Sequence, residues 1–341
     1  MEKNNKKKLK IVLLGCGGMM GAHVNRLKQM SEVEIIGLCD VNMEILKKFV
    51  EHNIINTSYK PKLFTNALEM YNVCKPDAVF ISTPHTQHYQ QGIQALDAGC
   101  HVFMEKPMVT KLEEAYKLDE KVKNTGKILV VGYNSSCSPE FNYLRNIIRN
   151  KTLGKLELVS GHLSQDWLRF TIGTWRQNPV LSGGGQAYDS GAHIFNSLCW
   201  SVESDIEEVF SYVDNHGTPV DINSVSSIKF TNGVLANITI GGNCPGGSSF
   251  MGFFFDEGHV EIDGWGGSFI NVWKGPDKLK YPLITPEMGA ISPDHNFIDA
   301  ILGRVEALTT VKNGVVQSQL MECFYESQRT GQPAKPKQRF L

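Results

Sequence analysis

The sequence predicts an α/β domain followed by an α+β domain whose sheet is open and largely antiparallel. Three observations predict it. Across residues 10–132 short apolar runs alternate with amphipathic stretches, the pattern of a parallel sheet with crossover helices. Between 205 and 273, Val, Ile, Phe and Thr alternate with turn residues such as Thr231-Asn232-Gly233, as in an antiparallel sheet open on one face. The chain's 341 residues also exceed what one core holds, since single cores stop growing near roughly 250–300 residues. The expected division is 1–132 and 133–341.

In the first domain, strands are expected at Lys10–Leu14, Val33–Cys39, Ala78–Ser82, Val102–Met104 and Ile128–Val131. Helices are expected near 20–30, 43–52, 65–73, 87–98 and 111–124. Gly99 and Gly126 each follow a helical stretch and precede a strand, where a C-cap favours glycine. In the second domain a helix over 138–150 leads to a strand over Lys155–His162 and an aromatic, glycine-rich segment at 166–191. A helix near 192–201 follows, then the sheet, then helices at 293–303 and 314–330 before a tail rich in Lys, Pro and Gln.

A hydrophobic fraction of 41% and a charged fraction of 20% describe an ordinary globular chain. The net charge of −1 offers no basic face for nucleic acid or an anionic membrane. Lys3, Lys6, Lys7, Lys8 and Lys10 imitate the start of a signal peptide, yet the apolar run behind them, Ile11 to Leu14, is too short for one. No stretch approaches the roughly 20 apolar residues that span a bilayer. The eight cysteines form no CxxC pair and mostly sit in apolar runs, so they read as reduced thiols of a cytoplasmic protein.

Four motifs carry chemistry. Gly15-Cys16-Gly17-Gly18-Met19-Met20-Gly21 follows a strand and opens a helix, where glycines let a pyrophosphate approach the backbone and the helix N-terminus supplies N–H groups. Asp40, at the end of the second strand, stands where an acidic residue binds an adenosine ribose diol. Its charge repels a 2′-phosphate and no arginine follows it closely, which favours NAD over NADP. The third fingerprint position is Met20, with Gly21 one later, so looser helix packing is expected there.

Next, a strand from Asp77 ends in Thr83-Pro84, and the following helix carries His88 in its first turn. That loop is expected beside the ribose–nicotinamide half of a dinucleotide, although a lone histidine there more often packs a helix. The third motif is Glu105-Lys106-Pro107, a charged pair at the carboxyl end of an apolar strand, where open α/β sheets bind ligands. Pro107 restricts the backbone of Lys106 and aims it, and Glu105 is read as a structural or ribose-side partner. Fourth, Gly183-Gly184-Gly185 leads to Asp189 and His193, four apart and on one face if both are helical. Such a pair suits a general base, while an N-terminal carboxylate with an incidental histidine is the competing reading. No third ligand stands at metal-site spacing, so no metal is expected.

This ordered set, spread over nearly the whole chain, resembles the Gfo/Idh/MocA oxidoreductases. The resemblance implies a Rossmann domain that binds NAD(P), and an open α/β domain whose sheet often mediates oligomers. It also implies a sugar or cyclitol as substrate. Cofactor contacts are then expected from Gly15, Gly17, Gly18, Met19, Met20, Asp40, Thr83, Pro84, His88, Glu105 and Lys106. Lys106, Asp189 and His193 would surround the reacting hydroxyl: His193 takes its proton, Lys106 polarises its oxygen, and Asp189 orients His193 or binds an adjacent hydroxyl. Trp175 and Arg176 either line the sugar pocket or pack at a domain edge, and Asn196 stands where the family often has a sugar-binding aspartate. His85 replaces a more usual asparagine, and Ser135-Ser136-Cys137 replaces an arginine-and-aromatic sequence. The expected activity is hydride transfer between a secondary alcohol and NAD, in a homo-oligomer (dimer or tetramer). The alternatives are an NAD-dependent glycosidase working by transient oxidation, and a non-enzymatic sensing regulator.

Overall fold

The computed structural model describes residues 8–279 and 284–338. Lys3, Lys6 and Lys7 of the basic start, and the last residues of the tail, lie outside them.

Six strands build the first sheet: β1 (Leu9–Leu14), β2 (Val33–Cys39), β3 (Lys62–Phe64), β4 (Ala78–Ile81), β5 (His101–Met104) and β6 (Leu129–Val131). All are parallel, in the order β3-β2-β1-β4-β5-β6. The order reverses between β1 and β4, and that crevice at the strands' carboxyl ends is where such sheets bind dinucleotides. Helices α1 (Gly18–Leu27), α2 (Met43–Phe49), α3 (Ala67–Cys74), α4 (His88–Asp97) and α5 (Leu112–Thr125) make the crossovers. Strands β1, β4 and β5 are apolar almost throughout because both faces are covered, and they read clearly in the sequence. The sequence gives no comparable signal for β3, an edge strand of three residues of which only Phe64 is buried.

After α6 (Pro139–Asn150) the second sheet begins with β7 (Leu156–Ser164). Two short helices, α7 (Trp167–Phe170) and α8 (Pro179–Ser182), and the long α9 (Gly191–Val202) precede its other strands. These are β8 (Ile206–Asp214), β9 (Asn223–Phe230), β10 (Leu235–Gly241), β11 (Ser248–Phe255), β12 (Gly258–Ile262), β13 (Ile270–Lys274) and β14 (Asp277–Leu279), in the order β14-β13-β12-β11-β7-β10-β9-β8. Only β7 and β10 pair in parallel. Burial alternates strictly along β9 and β10. The inner face packs on Phe195, Leu198, Leu320 and Phe324 of the helices, while Leu158, Tyr212, Val225, Leu235 and Phe254 lie exposed on the other.

The chain does not part cleanly at residue 132. Helix α10 (Pro293–Ile301) leaves the second sheet and places Phe297 and Ile298 in one core with Ile11, Leu13, Phe80 and Phe103. Thr309 then bonds Val131 in both directions, at 2.9 Å through the backbone and 2.7 Å through its hydroxyl. Helix α11 (Val311–Thr330) carries the chain back, its Leu320 and Phe324 in the core of the second sheet. No helix among the described residues is long and apolar enough to cross a membrane.

Candidate active site

The carboxyl end of the parallel sheet faces the segment 167–193 across a cavity of about 430 Å³. Gly17, Gly18, Met19, Thr83, His85, Glu105, Lys106, Trp175, Arg176, Asp189, His193 and Trp265 line it, so residues from both halves of the chain meet there. A larger groove of about 780 Å³ lies elsewhere, beside Arg145, Arg149 and Glu203. There the two arginines pair with Glu203, and no element of the four motifs enters it.

On the cofactor side, Gly15 has φ +86°, and a Cβ there would come within 2.6 Å of the Ser82 carbonyl oxygen. Only glycine allows β1 to turn that tightly against the end of β4. Among the described residues a Cβ at Gly17 or Gly18 would meet no other protein atom within 4 Å, so the room beside them is open to a ligand. Among the described residues no side chain caps the N-terminus of α1, and no acidic residue stands in its first turn, which leaves its N–H groups for an anion. Asp40 is held at the end of β2 by two backbone donors, Cys16 N–H at 2.9 Å and Asn42 N–H at 3.0 Å. These residues fit a dinucleotide: turn, pyrophosphate cradle and ribose acceptor stand in order along the crevice.

Two expected cofactor contacts fall elsewhere. The Met20 side chain is fully buried in the core with Ile11 and Leu13, so it offers the crevice only backbone. The fingerprint's spacing locates that residue without saying which way its side chain turns. Gly21 is the close-packing position instead, since a Cβ there would meet Asn53 Oδ1 at 2.8 Å. His88 is also fully buried, with Nδ1 2.8 Å from the Pro107 carbonyl oxygen and Nε2 2.9 Å from that of Thr83. Two carbonyl acceptors ask for two N–H donors, which only the protonated ring has, while burial pulls its pKa down. His88 ties the two strand-end loops together from behind and has no nitrogen left for the cofactor.

At the centre, Lys106 precedes a cis peptide bond to Pro107, and its Nζ donates to Asp189 Oδ1 at 2.8 Å and to the Asp189 carbonyl at 3.0 Å. The other carboxylate oxygen of Asp189 accepts from Trp167 Nε1 at 2.8 Å and Arg176 Nε at 2.9 Å. Burial favours the neutral acid, but Lys106 and Arg176 overcome it and hold the carboxyl far below the usual range. The shared helical face expected for Asp189 and His193 is absent. Asp189 sits before Gly191, where α9 begins, and its acceptors are spent on Lys106, Trp167 and Arg176.

His193 stands in the first turn of α9, stacked on Trp265 at 4.2 Å between ring centroids and edge-on to Tyr133. Neither ring nitrogen has a protein partner among the described residues. Burial, with Lys106 adding to it, pushes its pKa down to about 3, so the ring is neutral through the physiological range. Arg176 lies over the ring of Trp175 at 4.7 Å, and both border the cavity rather than a remote domain edge. Asn196 does not reach it: the residue is 1% exposed and points Nδ2 at Ser135 Oγ, 3.4 Å away. The glycine run is pinned by buried Asp221, which accepts from the N–H groups of Gly185 and Ala187 at 2.7 Å each. A Cβ at Gly185 would come within 2.0 Å of the Asp221 carbonyl oxygen.

Behind Lys106 lies a buried chain of charges. Glu105 Oε1 is 3.1 Å from His23 Nε2, His23 Nδ1 is 2.8 Å from Asp294 Oδ1, and Arg26 Nε donates to Asp294 Oδ2 at 2.6 Å. Burial would raise the Glu105 pKa, but pairing with His23 brings it down to about 2. Sequence reasoning missed Trp265, Trp167, His23 and Asp294. Only His23, one helical turn past the glycine loop, stood close enough to a motif to be found. Among the described residues no cluster of three or more His, Cys, Asp or Glu is placed to hold a metal ion.

Comparison with known proteins places the chain in a family. The family described as "Oxidoreductase family, NAD-binding Rossmann fold" matches residues 9–133, and the one described as "GFO/IDH/MocA C-terminal domain" matches residues 141–270. Glucose-6-phosphate 3-dehydrogenase of Bacillus subtilis is 27% identical over 198 residues, 58% of this chain and 54% of that protein. D-glucoside 3-dehydrogenase of Escherichia coli is 25% identical over 198 residues, 56% of this chain and 53% of that one. Glycosyl hydrolase family 109 protein 2 of Akkermansia muciniphila is 28% identical over 153 residues, 44% of this chain and 32% of that one. The match thus spans about half the length of the first two relatives and a third of the last. Among solved structures, GenD2 from gentamicin A biosynthesis, in complex with NAD, superposes with a TM-score of 0.82 at 21% identity, covering 97% of both chains. The WlbA dehydrogenase from Bordetella pertussis, in complex with NADH and UDP-GlcNAcA, does so with a TM-score of 0.82 at 21% identity, covering 98% of this chain and 100% of that one.

Proposed function

The chain belongs to the Gfo/Idh/MocA oxidoreductase family, and from that premise we propose that it moves a hydride between a secondary alcohol of a sugar or cyclitol and NAD. One observation carries this reading. A lysine ammonium fixed by a carboxylate, and a neutral histidine whose ring nitrogens have no partner among the described residues, border the same cavity as an open dinucleotide cradle. The bound nicotinamide would supply the hydride acceptor or donor. Gly15, Gly17, Gly18, the N-terminus of α1 and Asp40 would hold its dinucleotide.

The rest falls to this chain's side chains. Oxidising an alcohol requires its hydroxyl proton to leave, and no alcohol releases one unaided at neutral pH. His193 is a bare acceptor through that range and takes it. Lys106 donates to the same oxygen and stabilises the charge that develops there. Asp189 keeps Lys106 extended into the cavity, and Arg176 keeps Asp189 ionised. The eight free thiols support a reducing compartment, and the apolar outer face of the second sheet supports self-association.

The test is a screen of sugars and inositols with NAD and NADP, followed by nicotinamide absorbance. A rise with NAD is expected, and silence across a broad panel would end the dehydrogenase reading. The glycosyl hydrolase likeness favours a second reading, in which oxidation is transient and a glycosidic bond is cleaved. Release of nitrophenol from nitrophenyl glycosides, with no absorbance change at the nicotinamide band, identifies that case.

A further inference from the structure

His85 belongs to the first domain yet faces the second. Its ring is 4% exposed, stands edge-on to Trp175 at 4.8 Å and lines the cavity beside Lys106 and Asp189. Nδ1 lies 3.0 Å from the Ser182 carbonyl oxygen. A carbonyl only accepts, so Nδ1 carries the hydrogen and the neutral ring presents Nε2 as a lone pair. Burial pushes the ring's pKa down to about 3, so no second proton arrives at neutral pH. Nε2 has no protein partner among the described residues. The neighbouring Thr86 hydroxyl also donates to carbonyls of this segment, those of Val180 and Leu181, so the whole turn is aligned on α8.

The other polar groups of the cavity show what is wanting there. Lys106 and Arg176 only donate. Asp189 has its oxygens committed to Lys106, Trp167 and Arg176. His193 is reserved for the reacting hydroxyl. Glu105 turns Oε1 to His23, and the hydroxyls of Ser82, Thr83 and Ser190 donate as readily as they accept. Beside Trp175, the acceptor that meets a second substrate hydroxyl that must donate is His85 Nε2. We propose that His85 is a specificity-determining residue whose Nε2 accepts a hydrogen bond from the hydroxyl next to the reacting one, so that the site selects vicinal diols over isolated secondary alcohols. This rests on the dehydrogenase reading. The cofactor's carboxamide competes for the same lone pair, but His85 packs on Trp175 and Ser182 of the second domain rather than on the glycine turn, which favours the sugar.

Binding separates this inference from turnover. Methyl β-D-glucoside, its 2-deoxy and 4-deoxy analogues, and myo-inositol are titrated calorimetrically into the protein saturated with NADH. We expect one deoxy analogue to bind roughly 10- to 100-fold more weakly than the parent, the cost of leaving a buried acceptor unpaired. In His85→Leu that ratio falls to near one, while His85→Asn, which keeps an acceptor, preserves part of it. Melting curves check that both variants fold. An unchanged ratio in His85→Leu overturns the proposal, and so does a loss of NADH affinity with the ratio intact, which would assign Nε2 to the carboxamide. Parent sugars that bind with this discrimination but never reduce NAD would sink the dehydrogenase reading alone. Failure of every sugar to bind overturns both.

Discussion

His23 and Glu105, 82 positions apart in the sequence, meet at 3.1 Å beneath the cavity, with the imidazole clamped between two carboxylates. Burial alone would discharge that ring, but its bonds to Asp294 and then Glu105 raise its pKa to about 9. A histidine charged more readily folded than unfolded stabilises the protein fully below its unfolded value, near 6.5. That stabilisation fades as pH climbs through about 9. Replacing His23 by Gln should therefore cost about 3 kcal/mol at pH 6, because two buried carboxylates lose their shared partner. The deficit against wild type should shrink towards pH 9.5. Urea melts at three pH values measure it, and a deficit that does not vary with pH would contradict a charged His23.

Lys106→Met should reduce turnover by about 100-fold or more, the scale on which a donor to a developing oxyanion acts. NADH affinity, read by fluorescence titration, should change only a few-fold. Turnover within a factor of three of wild type would remove Lys106 from the chemistry.

Asp40→Asn removes the charge that the Cys16 and Asn42 N–H groups hold at the end of β2. NAD should bind roughly 10-fold more weakly, at the loss of about 1.4 kcal/mol typical of a charged hydrogen bond. The preference over NADP should narrow. Equal affinities for both cofactors in the wild-type protein would show that Asp40 does not face the ribose.

The pH profile follows from two depressed values. With His193 pushed down to about 3 and Asp189 held below the ordinary carboxylate range, neither changes charge between pH 5 and 8. The profile of kcat/KM for the alcohol should therefore lack an acid limb there, since that parameter reports free-enzyme ionisations. An inflection near 6.5 that disappears in His193→Asn would mean that the ring is not held neutral.

Much of this was legible in the sequence. The order strand, glycines, helix and Asp40 needs only local geometry, and it locates the crevice. Glu105-Lys106-Pro107 and the Asp189/His193 segment are each local as well, and the fold brings them to one cavity. The failures share a cause. Helical spacing pairs Asp189 with His193, but the helix starts between them, and Asp189 bonds instead to Trp167, Arg176 and, from the loop after β5, Lys106. Met20 and Asn196 hold the expected positions with their side chains turned into the core, which spacing does not reveal. Trp265 reaches the site from a loop and Asp294 from the first turn of α10, neither with a motif of its own, so only tertiary structure shows them.

The return of residues 293–310 to the first sheet sets an order of completion during synthesis. The cofactor-binding half leaves the ribosome first, yet Phe80 and Phe103 lack their edge-on neighbour Phe297 until it follows, about two hundred residues later. That half is begun first and finished among the last. A graft meant to exchange the cofactor domain would have to carry two separate stretches of chain, 8–132 and 293–310. A cut at residue 132 alone would yield a sheet with an unsealed aromatic face, and a His23 with one carboxylate missing.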